Sequence, residues 1–188
     1  MTDGRTTAMD LIKTMSNAER DEVMRAGVAP RFEDLVGWEF AGTNTPPITA
    51  LIGIRKFKKG FYEGAPLVSG GPEPFIQGYN VKVEQNGIGQ PHNARPSEEA
   101  PKRHDFYRVC AITDGMQHDR YPNAMLLHYG FGGNGASPGG WLRDYLVQVH
   151  PDDRDLLLGR AYAAPFGGRG FSVSFFVLER NNPHDFNG

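Results

Sequence analysis

The chain of 188 residues has one cysteine, Cys110, so no disulfide forms within it. It has no apolar run near the roughly 18 residues of a membrane-spanning helix, and its first residues carry no apolar signal region. Cytoplasmic location is the expectation from these absences. Charge of one sign is scarce too: 20 Lys and Arg against 22 Asp and Glu give a formal net charge of -2. That balance excludes a strongly basic nucleic-acid binder on global charge. Catalytic signatures are sparse: the chain has no G-x-S-x-G and no G-x-x-x-x-G-K-[ST].

What is abundant is turn chemistry. The 24 Gly and 14 Pro suit many turns between short strands better than long helices. Phe171-Ser-Val-Ser-Phe-Phe-Val-Leu-Glu-Arg180 alternates with the period of a strand packed against a core. Similar runs are expected around 38–42, 75–85, 105–112, 124–129, 142–149 and 156–163, with Gly/Pro-rich connections. The fold class predicted is mainly β: one domain over 1–188, with a closed antiparallel barrel over 35–180. A barrel removes the edges that an open sheet exposes. Met125-Leu-Leu127 and Leu156-Leu-Leu158 are apolar on both faces, so helices should cover part of the wall.

Helices are expected in two places. Residues 1–30 form a helical lead-in that plugs or flanks the sheet, with Ser16-Asn-Ala-Glu19 spaced as a capping box. Leu51, Ile54, Phe57 and Phe61 recur at helical spacing among Arg55, Lys56, Lys58 and Lys59. They predict a short inserted helix over 48–62 with a solvated basic face. Its rival role is contact with an anionic membrane surface. The connection 87–104 reads as a long exposed loop, and loop and helix together could form a lid.

The lead-in, Gly37-Trp38 at the first strand, and a meander ending at Arg180 resemble the calycin superfamily, that is, lipocalins and their bacterial relatives. The resemblance implies a barrel with a cavity for an apolar ligand. It also implies that Arg180 stacks on Trp38 beneath the barrel, a cation–π contact with a structural role.

Candidate ligand contacts are Tyr79, Tyr107, Arg108, His128, Tyr129, Tyr145 and Tyr162. A phenol has an apolar body and a polar tip, which suits a wall that orients an apolar molecule. Ordinary core packing of those tyrosines is at least as good a reading. Arg108, facing inward, would suit a carboxylate. His128 lies in the apolar Ala124-Met-Leu-Leu-His-Tyr129 run and is the acid–base candidate if the chain is an enzyme, although an outward or hydrogen-bonded strand histidine is the commoner case. Arg143, Asp144 and Arg160 also interrupt strands, and a charge inside a small barrel must be paired or hold a charged ligand. Gly130-Phe-Gly-Gly-Asn-Gly135 fits G-x-G-x-x-G, but Pro138 and a strand-like run follow, so it reads as a flexible hairpin loop. No cofactor and no metal are expected: the histidines lack ligand spacing, and a single Cys cannot build a thiolate site.

Three functions remain open. The first is binding of a small, largely apolar molecule in the barrel. The second is a cyclase or isomerase on the same scaffold, with a titratable group of strongly shifted pKa inside the cavity. The third is an interaction module whose barrel is filled by its own side chains.

Overall fold

The computed structural model describes residues 5–45, 53–135, 137–168 and 170–188. Eight antiparallel strands close into a barrel in simple up-and-down order. They are β1 (Trp38–Asn44), β2 (Lys56–Tyr62), β3 (Phe75–Val81) and β4 (Arg103–Ala111), then β5 (Met125–His128), β6 (Leu142–His150), β7 (Asp153–Ala163) and β8 (Phe171–Pro183). Closure is the pairing of β1 with β8, from Trp38↔Pro183 to Asn44↔Phe176. This is the closed antiparallel barrel expected, and it is consistent with a calycin-like fold.

The inserted helix is the main departure. Of 48–62, residues 48–52 lie outside the described residues, and Lys56–Tyr62 is the strand β2. The segment pairs with β1 through Phe40↔Lys59 and Gly42↔Phe57, and with β3 through Lys59↔Asn80. Phe57 and Phe61, four apart, satisfy both periods: one face of a helix, or one face of a strand with Lys59 between them. The two ladders decide for the strand. Nor is the basic face solvated, because Lys56, Lys58 and Lys59 are all buried. Lys56 donates to the carbonyls of Gln90 (2.6 Å) and Pro91 (3.0 Å), and Lys58 pairs with Glu98 at 2.8 Å. The connection after β3 is thereby tied to the outer side of β2. Only its first residues, Lys82, Val83 and Gln85, reach the cavity described below.

The lead-in flanks the barrel. Asp10–Thr14 is a turn of π-helix, and α1 spans Asn17–Ala26. Both halves of the Ser16/Glu19 capping box form. Leu11, Ile12 and Met24 pack on Tyr145, Val147, Leu158, Tyr162 and Phe175, on the outer face of the wall. Asp21 anchors α1 by accepting from both Arg160 and Tyr121. Asn123 closes its other end, donating to the carbonyls of Met24 (2.9 Å) and Gly27 (2.8 Å). Both faces of the wall are therefore buried over β5 to β8.

The interior is of two kinds. Leu35, Phe40, Phe61, Val109, Leu127, Leu146, Leu157 and Leu178 fill the end near the lead-in. Arg180 seals that end, its guanidinium 4.6 Å from the centroid of Trp38 and 5.1 Å from that of Phe40, while it donates to the Asp34 carbonyl at 2.9 Å. This is the stacking that the resemblance implied. At the opposite end, inward positions are small or polar: Gly42 and Asn44, Gly78 and Asn80, Gly159 and Ala161, and Ser174. Phe57, Tyr129 and Phe176 are the large inward residues of that end, and between them and these small or polar positions a cavity is left.

Candidate functional site

Three cross-strand pairs shape the cavity. Gly42 faces Phe57, Gly78 faces Tyr107, and Gly159 faces Phe176. Each ring lies flat over the glycine opposite. A Cβ on those glycines would stand 2.3, 2.2 and 2.1 Å from the respective ring. Only a residue without a side chain admits this approach. The three rings, with that of Tyr129, surround one side chain. Lys59 Nζ lies 4.9 Å from the Tyr107 centroid, 5.1 Å from Tyr129, 5.2 Å from Phe176 and 5.4 Å from Phe57.

The Lys59 ammonium has three polar partners. It donates to Asn80 Oδ1 at 3.0 Å and to the Tyr129 hydroxyl, and it pairs with Asp144 Oδ2 at 3.1 Å. The Tyr129 hydroxyl in turn donates to Asp144 Oδ2 at 3.0 Å. Lys59 and Asp144 side chains are only 3% and 4% exposed. Burial pulls the Lys59 ammonium below its ordinary range, against the opposing pull of the Asp144 carboxylate. Burial, then the Asp144 charge, hold the Tyr129 phenol well above its usual value. The result is a compact ion pair with a proton-bearing hydroxyl, inside a shell of aromatic rings.

The cluster forms part of the wall of a cavity of about 420 Å³. Each water in the liquid takes about 30 Å³, so this is space for a small organic molecule rather than a few waters. Phe57, Leu142, Ala161, Val173 and Phe176 give it apolar sides, with Asn44, His104, Asp105 and Ser174 as polar lining. His104 Nδ1 lies 2.8 Å from Asp105 Oδ2, and this bond holds the Asp105 carboxyl below the usual carboxylate range.

The seven tyrosine, arginine and histidine candidates divide by strand parity. Tyr129 lines the cavity, and Tyr107 belongs to the same interior. The Tyr107 hydroxyl is bonded to the carbonyls of Gly60 (3.2 Å) and Tyr79 (3.3 Å). The other five lie on the outer face. Tyr79 packs with Tyr62 and Phe186 and donates to Glu39 at 3.0 Å. Tyr145 and Tyr162 form an edge-to-face pair under the lead-in, and burial pushes the Tyr145 phenol up to about 12. Arg108 stacks at 4.0 Å over Phe75 and donates to the carbonyls of Gly70 and Val68, so its role is to hold the connection between β2 and β3. His128 pairs in register with Arg108 and packs on His118 and Phe131, at 5.4 and 4.4 Å between ring centroids. Burial, with the Arg143 charge second, pulls its imidazole down to about 3. It is a neutral wall residue, outside the cavity.

Lys59 and Asn80 are not among the candidates from sequence, and Asp144 appears there only as a charge that interrupts a strand. The signal existed. Asp144 shares the parity of Leu142 and Leu146, an inward face, and Lys59 shares that of Phe57 and Phe61. Two opposite charges on two apolar strand faces point to a pair inside a barrel. Reading 48–62 as a helix hid one partner.

Among the described residues, no helix is long and apolar enough to cross a membrane. No family model, no curated protein and no solved structure matches the chain.

Proposed function

We propose that the chain binds a small, largely apolar molecule in the open half of its barrel. The observation that carries this reading is the cavity of about 420 Å³, apolar at its sides, with a polar cluster in its wall. An apolar body would gain from leaving water along Phe57, Leu142, Val173 and Phe176, at about 25 cal/mol per Å² buried. One polar end would be oriented by the cluster. Native mass spectrometry of the purified protein tests the reading. The expected result is a retained small molecule, released by organic solvent and absent from Ala161→Trp, which fills the cavity. Bare protein that also takes up nothing from a library of apolar compounds would count against it.

A second reading has an observation of its own. An acid–base enzyme, such as a cyclase or isomerase, would use a titratable group of shifted pKa inside the cavity, and Lys59 is such a group. In this version Tyr129 and Asp144 relay the proton, and the cavity orients the substrate. His128 has no part in it. Tyr129→Phe separates the two readings, because it keeps the ring and removes the proton. An enzyme should lose roughly a hundredfold or more in turnover of the retained molecule. A carrier would change only modestly in affinity.

The filled-barrel module is the third reading. The packed end of the interior favours it, and the open end does not.

A further inference from the structure

We propose that His104 and Asp105 form a proton-transfer dyad in the cavity wall, in which His104 takes a proton from a carbon acid, an uncharged apolar molecule with a C–H bond next to a carbonyl. This rests on the acid–base reading of the cavity. It adds the group that meets the substrate and the class of substrate.

The backbone brings the two side chains together. Consecutive residues of a regular strand point to opposite faces. Between the pairs Gly78↔Tyr107 and Asn80↔His104, however, β3 advances from 78 to 80 while β4 runs from 107 to 104. The extra residue on β4 makes a bulge, and within it Asp105 has a φ of 46°. It is the one residue other than glycine with a positive φ among the described residues, and Asp is among the few types that tolerate it. His104 and Asp105 consequently both line the cavity. Gly139, in the connection before β6, leaves room for the carboxylate: a Cβ there would stand 2.5 Å from Asp105 Oδ1. Bulges re-aim side chains, and unusual backbone conformations gather at functional sites.

The hydrogen bond between the two settles which nitrogen can act. A carboxylate only accepts, so in the neutral ring the proton between His104 Nδ1 and Asp105 Oδ2, 2.8 Å apart, belongs to Nδ1. Nε2 then carries the lone pair. It has no hydrogen-bond partner among the described residues, yet it is not shut in as Asp144 Oδ1 is. The His104 side chain is 30% exposed, against 3% for Lys59, whose protons all go to acceptors. Lys59 and the exposed Lys82 bring positive charge to bear on Asp105 from the same cavity wall. That charge suits an oxyanion developing on the substrate.

The step balances within one molecule. The C–H bond breaks, its proton goes to His104 Nε2, and its electron pair moves onto the carbonyl oxygen as an enolate. Return of the proton at the far end of a neighbouring C=C bond shifts that double bond. The isomerisation needs no co-reactant.

The uncharged aromatic 5-nitrobenzisoxazole probes the dyad in the intact protein. A base removes the proton from the carbon beside its ring nitrogen, the N–O bond breaks, and a coloured nitrophenolate is released. The wild type should open it roughly a hundredfold or more faster than free imidazole at the same concentration and pH. His104→Gln should fall to the background rate, with unfolding temperature and uptake of the neutral dye Nile red unchanged. Asp105→Asn keeps a residue that tolerates the left-handed backbone. As a positioning change it should lower kcat roughly tenfold or more and leave KM unchanged. No acceleration by the wild type would overturn the dyad without recourse to any variant. Acceleration that survives His104→Gln would overturn it as well, and its loss in Tyr129→Phe would then place the base at Lys59 and keep the acid–base reading. If neither the probe nor a retained molecule is turned over while Nile red still binds, the acid–base reading falls with the dyad and the binding reading stands.

Discussion

The two ends of this barrel are built from the same strands and differ in what points inward. At the end sealed by Trp38 and Arg180, the inward residues are Phe40, Phe61, Leu127, Leu146, Leu157 and Leu178, and the space is full. A few positions further along the same strands they are Asn44, Lys59, Asn80, Asp144, Ala161 and Ser174, and the space is hollow. An eight-stranded barrel is just wide enough for side chains to fill it. Whether it holds a ligand therefore depends on side-chain size at a few inward positions, not on strand count. Three glycines sharpen the contrast, because each lets a ring lie flat against the wall where an upright side chain would occupy the interior.

The largest expected difference between the two ends is in stability. Phe40→Ala, at the full end, should cost about 3–5 kcal/mol, because a rigid packed site leaves a void. Val173→Ala, at the hollow end, should cost no more than about 1 kcal/mol, since its neighbours are already partly unpacked. Equal shifts in chemical denaturation would remove the distinction.

Next comes the ion pair. Lys59→Met should cost about 3–5 kcal/mol by leaving Asp144 buried without a counter-charge. The double variant Lys59→Met with Asp144→Leu should recover most of that loss, because the penalty belongs to the unpaired charge. Denaturant midpoints of the two singles and the double give the coupling directly. A double variant as unstable as the sum of its parts would show that the pair itself holds the barrel together.

A smaller effect follows from His128, in the outer wall. Its folded pKa is lowered to about 3 from 6.5. Below about pH 6.5 the unfolded chain takes a proton that the folded chain refuses. The histidine's contribution is therefore complete above that value and falls as the pH drops toward about 3. Between about pH 7 and pH 5 the loss should be about 2 kcal/mol. In His128→Gln the pH slope of the denaturation midpoint should flatten by that amount. An unchanged slope would place the titration on other groups.

The smallest is the seal. Arg180→Met keeps much of the aliphatic packing and removes the stack on Trp38 and the bond to the Asp34 carbonyl, with an expected loss of about 1–2 kcal/mol. Thermal unfolding measures it, and affinity for a cavity ligand at the far end should stay the same.

Much of the architecture was legible in the sequence, and the reason lies in alternation. Phe171 to Arg180 and Leu142 to Val149 repeat with period two, and the Gly/Pro-rich connections separate them. The capping box at Ser16 marked the start of α1. What parity cannot tell is inside from outside when both faces are covered. Tyr79, Tyr145 and Tyr162 are as buried as Tyr107 and Tyr129, yet they face the C-terminal segment around Phe186 or the lead-in rather than the cavity. Alternation established burial, and only the closed register assigned the face. Lys59 was obscured for a second reason: three lysines in a row of aromatic residues suggest a solvated helix face, and their burial depends on Asp144, Glu98 and the carbonyls of Gln90 and Pro91, all far away in the chain.

A hollow end opposite the Trp38 seal should take up an apolar molecule. Fluorescence titration with Nile red, on the wild-type chain and on Ala161→Trp, tests it most directly. The wild type should bind saturably at one site, with blue-shifted emission, and the binding should be lost in a variant that unfolds at the same temperature. Equal binding by the two proteins, or none by the wild type, would contradict it.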